Sequence, residues 1–391
     1  MPRDFDEIYP TNEKYSSFDT RNTAFNRAIK AGTFDHIDVA KKTEKIKKNI
    51  PGFRLIDYAF SDAAMTVAKA SQSGRGEQNT GFYSWTSLGV TKIPDGVEPW
   101  SGSPNEASKV VKKAGQYYGA ADVGFTKLDK RWIYTHGKRG KPIVFEDVDA
   151  PYVTDEKAVI PERCKYVVAI ANPVEVDEIM YAPSALNPTG GMGYSRNASV
   201  AGSLAEFIRG LGYHAIPCGN DTGLSVPIAI QAGLGHLGRH GRLITWKHGP
   251  MVRLTKIFTD LPLEQSPMAD EGIVEFCEDC EKCAKKCPSN SIPFGPRTWA
   301  GDSEANNNGS LKWYCKSDGC YEYWRELGSN CGVCFRTCSF TKYKGLSHDF
   351  VKWWIKRTRI FNKFFVFMDE LLDYGKRKDP KSYWDRPLKT R

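Results

Sequence analysis

The run Cys277-Glu278-Asp279-Cys280-Glu281-Lys282-Cys283-Ala284-Lys285-Lys286-Cys287-Pro288 decides the fold. Three thiolates spaced two residues apart wrap three irons of one 4Fe–4S cubane. The fourth, followed by proline, points away toward a second cubane. The chain returns with Cys331-x2-Cys334-x3-Cys338. In the usual crossover Cys338 completes the first set, giving Cys277, Cys280, Cys283 and Cys338. The second set then holds Cys287, Cys331, Cys334 and one more. Cys315 and Cys320 compete for that place, and Cys320 is preferred because Cys320-Tyr321-Glu322-Tyr323-Trp324 leads toward Cys331. The second set departs from the compact two-cluster pattern: Cys320 and Cys331 are not two residues apart, and Ser339 stands where a proline would follow Cys338.

Nine of the eleven cysteines fall within 62 residues. A disulfide framework belongs to short secreted chains, not to one corner of a large one. Structural zinc favours two separated cysteine pairs over a four-cysteine run ending in proline. Cys164 and Cys218 stand apart and read as buried small apolar residues.

Around this block lies an ordinary soluble composition of 391 residues, 40% hydrophobic, with a mean hydropathy of −0.48. No apolar run approaches the 18 residues of a membrane span. The first thirty residues carry no apolar core and no Arg-Arg pair, so the chain as given shows no export signal. The net charge of +9 is concentrated: Thr341–Arg391 holds 14 Lys/Arg against 6 Asp/Glu, while the preceding residues balance at 41 against 40. A nearly neutral body argues against nucleic acid and leaves a basic tail to explain.

Residues 105–118 have helical spacing and lead into a strand at Val123-Gly124-Phe125. Tyr166–Ile170 is apolar on both faces, as in a buried sheet. Ser199–Leu211 reads as a helix closed by Gly212, with a strand over Tyr213–Pro217 and a further helix over Val226–Ala232. Leu243–Thr245 and Met251–Thr259 read as a hairpin across Lys247-His248-Gly249-Pro250. Strands alternating with helices over 105–260 indicate an α/β domain. Two clusters form a one-electron wire, so this domain should hold an acceptor. It has no dinucleotide fingerprint and no Walker loop. A flavin or a corrinoid remains.

Two segments are unusual: Thr189-Gly190-Gly191-Met192-Gly193-Tyr194-Ser195-Arg196, and the stretch PCGNDTGLSVPIAIQAGLGHLGRHG over 217–241. The second carries glycines where backbone would approach a large flat ligand. With GPMVRLTKIFTD (249–260) and the double cysteine run in that order, the chain resembles the respiratory reductive dehalogenases over roughly residues 100–345. The resemblance implies an α+β or α/β fold: a nitroreductase-like, cobalamin-binding catalytic core over 1–265 and a bacterial dicluster ferredoxin-like domain with two 4Fe–4S clusters over 266–345. A basic aromatic extension follows over 346–391. It implies base-off cobalamin, with Gly190, Gly193, Ser225, Gly233, Gly235, His236 and Gly238 as cofactor-binding residues. The absence of an Asp-x-His-x-x-Gly segment agrees with a cofactor lacking a lower protein ligand. It further implies a small organohalide substrate, a small integral-membrane anchor protein, electrons from the membrane quinone pool, and residence on the outer face of the cytoplasmic membrane after twin-arginine export. A homodimer is left open, as is the halide used.

In the resembling family the proton donor is a tyrosine with an arginine and an asparagine beside it. These map onto Tyr194, Arg253 and Asn220. A tyrosine hydroxyl with a pKa of about 10 is a poor acid that a neighbouring guanidinium improves. Arginine, always protonated, can also stabilise departing charge. The plain alternatives are a core tyrosine, half of a surface ion pair and a turn asparagine. Arg196 and His236 are weaker candidates for acid–base work. Trp85, Trp100 and Trp324 could line an apolar pocket or pack in the core. The aromatic, basic tail reads as a contact for an anionic membrane or the anchor protein, or as a cover over the cysteine region. Competing functions are an epoxyqueuosine reductase-like enzyme and a non-catalytic electron carrier or corrinoid handler.

Overall fold

A four-stranded sheet organises the first two thirds of the chain. Its strands are β1 (Asp122–Lys127), β2 (Tyr166–Pro173), β3 (Ala215–Cys218) and β4 (Val252–Thr259), in the order β1-β2-β4-β3. In this computed structural model, which describes residues 4–32, 38–71, 81–269, 271–343 and 345–387, every pairing in that sheet is antiparallel. The register sets Asn172 opposite Arg253 and Tyr166 opposite Thr259.

Successive residues of β2 feed two cores. Val167, Ala169 and Ala171 join one, and Val168 and Ile170 the other. This two-sided burial explains a strand apolar on both faces within an antiparallel sheet, where one face is commonly solvated. On one side lie α1 (Pro104–Tyr117) and α2 (Thr189–Gly210), contributing Ala107, Val111, Val200, Leu204 and Ile208. The start of α1 is fixed by a capping box between Ser103 and Glu106 with proline at its first turn. The other side is filled by α3 (Ser225–Gln231), the N-terminal Phe5, Ile8 and Tyr9, and Ile160 from a small three-stranded sheet.

The alternation of strands and helices yields a mixed α/β arrangement whose main sheet is antiparallel. Two local expectations change. The helix expected from Ser199 begins ten residues earlier, at Thr189. The expected hairpin is not formed. Leu243–Ile244 pairs instead with His236–Leu237, and β4 lies between β2 and β3; only a bridge from Thr245 to Gly249 remains of the turn. Both arms are apolar, and β4 gains two partners and two buried faces by joining the larger sheet.

The cysteine region is built from short helices: α4 (Ile273–Asp279), α5 (Lys282–Lys285), α6 (Ser317–Leu327) and α7 (Val333–Thr337). Two further helices, α8 (Leu346–Ile355) and α9 (Asn362–Leu371), cover it. Asp369 of α9 reaches in to Lys282, Lys342 and Ser339, and Asn362 donates to Asp279 at 2.9 Å. Apolar side chains stand out on them and on the turn between them: Leu346 and Ile360 are 90% and 80% exposed, and Phe350, Phe364 and Phe367 are more than half exposed. Among the described residues, no helix is long and apolar enough to cross a membrane.

Candidate active site and thiol groups

Tyr194, Asn220 and Arg253 come from three separate elements and meet. Tyr194 lies in the second turn of α2, Asn220 in the loop after β3, and Arg253 near the start of β4. Asn220 Nδ2 donates to the Tyr194 hydroxyl oxygen at 2.7 Å. The Arg253 guanidinium lies 4.2 Å from the centre of the Tyr194 ring, a cation–π contact. Since the phenol oxygen accepts from Asn220, its own O–H is left to point elsewhere.

The surrounding backbone explains the glycines of α2. A Cβ at Gly193 would stand 2.7 Å from Arg253 Cγ and 3.0 Å from Val174 Cγ1, so glycine lets the helix lie directly on the arginine stem. At Gly190 a Cβ would face Arg253 Nη2 at 3.4 Å and Asn330 Nδ2 at 3.8 Å. The loop carrying Cys331 therefore abuts the tyrosine–arginine pair. Gly332 extends this contact, because a Cβ there would stand 2.5 Å from Asn187 Nδ2.

Residues not singled out in the sequence hold this arrangement. Lys256 is fully buried and donates to the carbonyls of Gly219 (2.7 Å) and Asp221 (2.9 Å) and to Ser225 Oγ (3.2 Å). It thereby fixes the loop that carries Asn220, in which Thr222 sits at φ +68°. Such a backbone costs about 1–3 kcal/mol and needs this support. Burial pushes the Lys256 ammonium down from its ordinary range. Asn197 accepts from Asn172 at 2.8 Å and donates to the Leu254 carbonyl at 2.7 Å, tying α2 to both central strands beside Arg253. Tyr83 packs against Gly219, and burial pushes its hydroxyl well above the usual phenol range, so it stays protonated.

The other nominated residues sit apart from the triad's contacts. His236 is buried, with Nδ1 3.2 Å from the Tyr9 hydroxyl and Nε2 2.6 Å from the Ala269 carbonyl. Ser225 is held by Lys256. Arg196 pairs with Glu175 at 2.5 Å. At Gly233, Gly235 and Gly238 the space a Cβ would take is filled by Pro267 O (2.3 Å), Ile244 O (2.2 Å) and Ile244 Cδ1 (2.6 Å). On that side, their smallness serves contact within the protein rather than contact with a flat ligand. Trp85 packs in the main core, Trp100 against the second core, and Trp324 edge-on to Phe25. Cys164 and Cys218 are buried.

Cys277, Cys280, Cys283 and Cys338 border one cavity together with Arg239 and His240. Burial pushes the Cys277 thiol up to about 12 and those of Cys283 and Cys338 well above the ordinary thiol range, with the neighbouring thiols adding to the rise. A bound cation would invert that order and hold them as thiolates. Zinc would need its sulfurs about 2.3 Å from one point. No three His, Cys, Asp or Glu among the described residues are gathered for a single ion. A four-sulfur bowl around a cavity fits a larger group. The second set comprises Cys287, Cys315, Cys320, Cys331 and Cys334. Burial, then the neighbouring Cys320 and Cys287, pushes Cys331 up to about 11. Cys315 donates its S–H to the Arg239 carbonyl at 3.6 Å, as a neutral thiol does.

Arg239 has no exposed surface. Its five N–H bonds go to the carbonyls of Cys277, Glu278, Pro293 and Gly295, over the Trp313 ring. It braces the loop that walls the first cavity.

Compared with known proteins, residues 17–141 and 138–263 match the family described as reductive dehalogenase subunit. The tetrachloroethene reductive dehalogenase of Sulfurospirillum multivorans is 38% identical over 331 residues, which is 81% of this chain and 65% of that protein. The catabolic reductive dehalogenase NpRdhA, solved with 3-bromo-4-hydroxybenzoic acid, superposes with a TM-score of 0.69 at 21% identity. That match covers 94% of this chain and 48% of the other. A further reductive dehalogenase structure, described with a mechanism for B12-dependent dehalogenation, superposes at 0.65 and 22% identity. The chain thus spans about two thirds of the first relative and about half of the two structures.

Proposed function

The chain belongs to the reductive dehalogenase family, and on that premise we propose that it replaces a carbon–halogen bond of a small organohalide by carbon–hydrogen, with Tyr194 giving the proton. The reaction takes up two electrons and one proton and releases halide. The family's cobalamin, if bound here, would supply the electrons at the carbon, with two 4Fe–4S clusters as their source.

The observation that carries this reading is the convergence of Tyr194, Asn220 and Arg253. Asn220 donates to the phenol oxygen and leaves the Tyr194 O–H free for the substrate. When the proton departs, that same amide and the guanidinium over the ring stabilise the phenolate left behind. Arg253 reaches toward the gap beside Gly190, where it also meets departing negative charge. Cys277, Cys280, Cys283 and Cys338 would hold one cluster. Cys287, Cys331, Cys334 and Cys320 would hold the other, Cys320 being preferred over Cys315 because its segment leads toward Cys331. The Cys331 loop abuts Gly190, so a cluster held by the second set would lie on the triad's side of the cysteine region.

The bare aromatic faces of α8 and α9, mixed with Lys356, Arg357 and Lys363, suit peripheral attachment to an anionic membrane surface beside an integral anchor. The outer face of the cytoplasmic membrane and the quinone pool as electron source follow from the family reading. Anaerobic turnover of a halocarbon panel with reduced viologen, following halide release, tests the function. Halide release with a matching hydrocarbon product is expected. Cofactor-replete protein that releases none from any of the panel overturns it.

A further inference from the structure

We propose that His240 donates a hydrogen bond from Nε2 to the cluster held by Cys277, Cys280, Cys283 and Cys338, and thereby sets that cluster's reduction potential. The inference rests on the cluster assignment made above.

His240 is 4% exposed and is one of the residues lining the cavity that those four cysteines border. Nδ1 accepts the backbone N–H of Arg242 at 3.2 Å, which puts the ring proton on Nε2. That N–H is buried and meets no acceptor among the described residues. A buried donor left unpaired is costly, and native structures rarely keep one without a reason.

The imidazole is also held in place. It stacks on Phe335, with ring centres 5.8 Å apart and planes 23° from parallel. Gly238 makes room for it, since a Cβ there would come within 3.1 Å of His240 Cε1. Arg239, next in the chain, is clamped by its five backbone hydrogen bonds, so the loop cannot easily carry the ring elsewhere. A fixed donor beside a four-thiol bowl lacks only an anionic acceptor within the bowl. The sulfurs of an iron–sulfur cluster are such acceptors. Reduction adds one electron and one negative charge to the cluster, and a charge-assisted hydrogen bond strengthens with that charge. The bond favours the reduced form and raises the potential.

The test compares anaerobically prepared holoenzyme with its His240→Leu and His240→Gln variants in redox titrations followed by electron paramagnetic resonance. In His240→Leu, one of the two cluster steps should move to lower potential, with about a tenfold lower reduced-to-oxidised ratio at fixed potential, which is about 59 mV for one electron. The other step should stay, and His240→Gln, with an amide N–H, should recover part of the shift. Two unmoved steps in His240→Leu protein holding eight irons overturn the proposal and leave the cluster assignment standing. Wild-type protein without eight irons overturns the assignment instead. If His240→Leu fails to hold its irons, pulsed resonance on the reduced wild-type enzyme with nitrogen-15 histidine decides. A histidine Nε coupling together with an exchangeable deuteron supports the bond, and their absence overturns it.

Discussion

Tyr194→Phe removes one oxygen from the triad and leaves the ring under the Arg253 guanidinium. Halide release should fall by roughly 10²-fold or more, the usual span for a general acid, with iron and cobalt content unchanged. Near wild-type turnover with full cobalt would falsify Tyr194 as the donor. Arg253→Lys keeps a charge but loses the planar group that covers the ring, so it should be strongly impaired as well. Because both act on one proton, the double variant should be little worse than the worse single one. Gly193→Ala tests the scaffold. Its Cβ would press on Arg253 Cγ at 2.7 Å, so activity should drop while stability falls by about 1–3 kcal/mol, read from thermal melts. The three triad residues were nominated through the family resemblance that their segments carry, and the structure brings them into contact. Lys256 was not, although it anchors the Asn220 loop. Lysines are almost never fully buried, so on a strand they read as solvated.

At the scale of elements, β4 carries Arg253 near one end and Asp260 just past the other. Burial tends to raise the Asp260 carboxyl, but His214, through its backbone N–H (2.8 Å) and Nδ1 (3.0 Å), and Arg163 (3.0 Å) outweigh it and hold it below the usual carboxylate range. A carboxylate with a lowered folded pKa adds stability that is present above its unfolded pKa of about 3.9 and fades as pH falls through the folded value. Asp260→Asn should therefore cost about 1–3 kcal/mol near neutral pH, and that disadvantage should begin to shrink only as pH falls below about 4, as melts across that range would record. Helix α2 shows why element boundaries were harder to read. Gly190, Gly191 and Gly193 lower helix propensity by about 1 kcal/mol each relative to alanine, so the sequence favours a later start. Packing overrides that preference, since a Cβ at Gly191 would strike Met65 Cγ at 2.9 Å. The strands were read more easily, because the alternating residues of β2 have a core on each side.

For the whole molecule, the expected inventory after anaerobic reconstitution is about eight irons and one cobalt per chain, from two four-iron clusters and one corrinoid. Stoichiometric zinc without cobalt would sink the reading. Cys320→Ser should cost about four irons and Cys315→Ser none, measured by metal analysis; the reverse would exchange their roles. The cysteine pattern alone made the first thiol set legible. Within the second it preferred Cys320 to Cys315 only from where the segment leads, because spacing does not rank five thiols that gather in one place. Nor could spacing reveal that α9 closes over the first set. That closure bears on where the gene can be cut. Asp369 gives its carboxylate to both Lys282 and Lys342, 87 and 27 positions upstream, and all three side chains are less than a tenth exposed. A fragment ending at residue 345, where the cysteine pattern alone would draw a boundary, would keep two close ammonium groups and discard their shared counter-charge. Stranding a buried charge in this way typically costs about 3–5 kcal/mol, so fragments meant to isolate the electron-transfer half should run past Asp369.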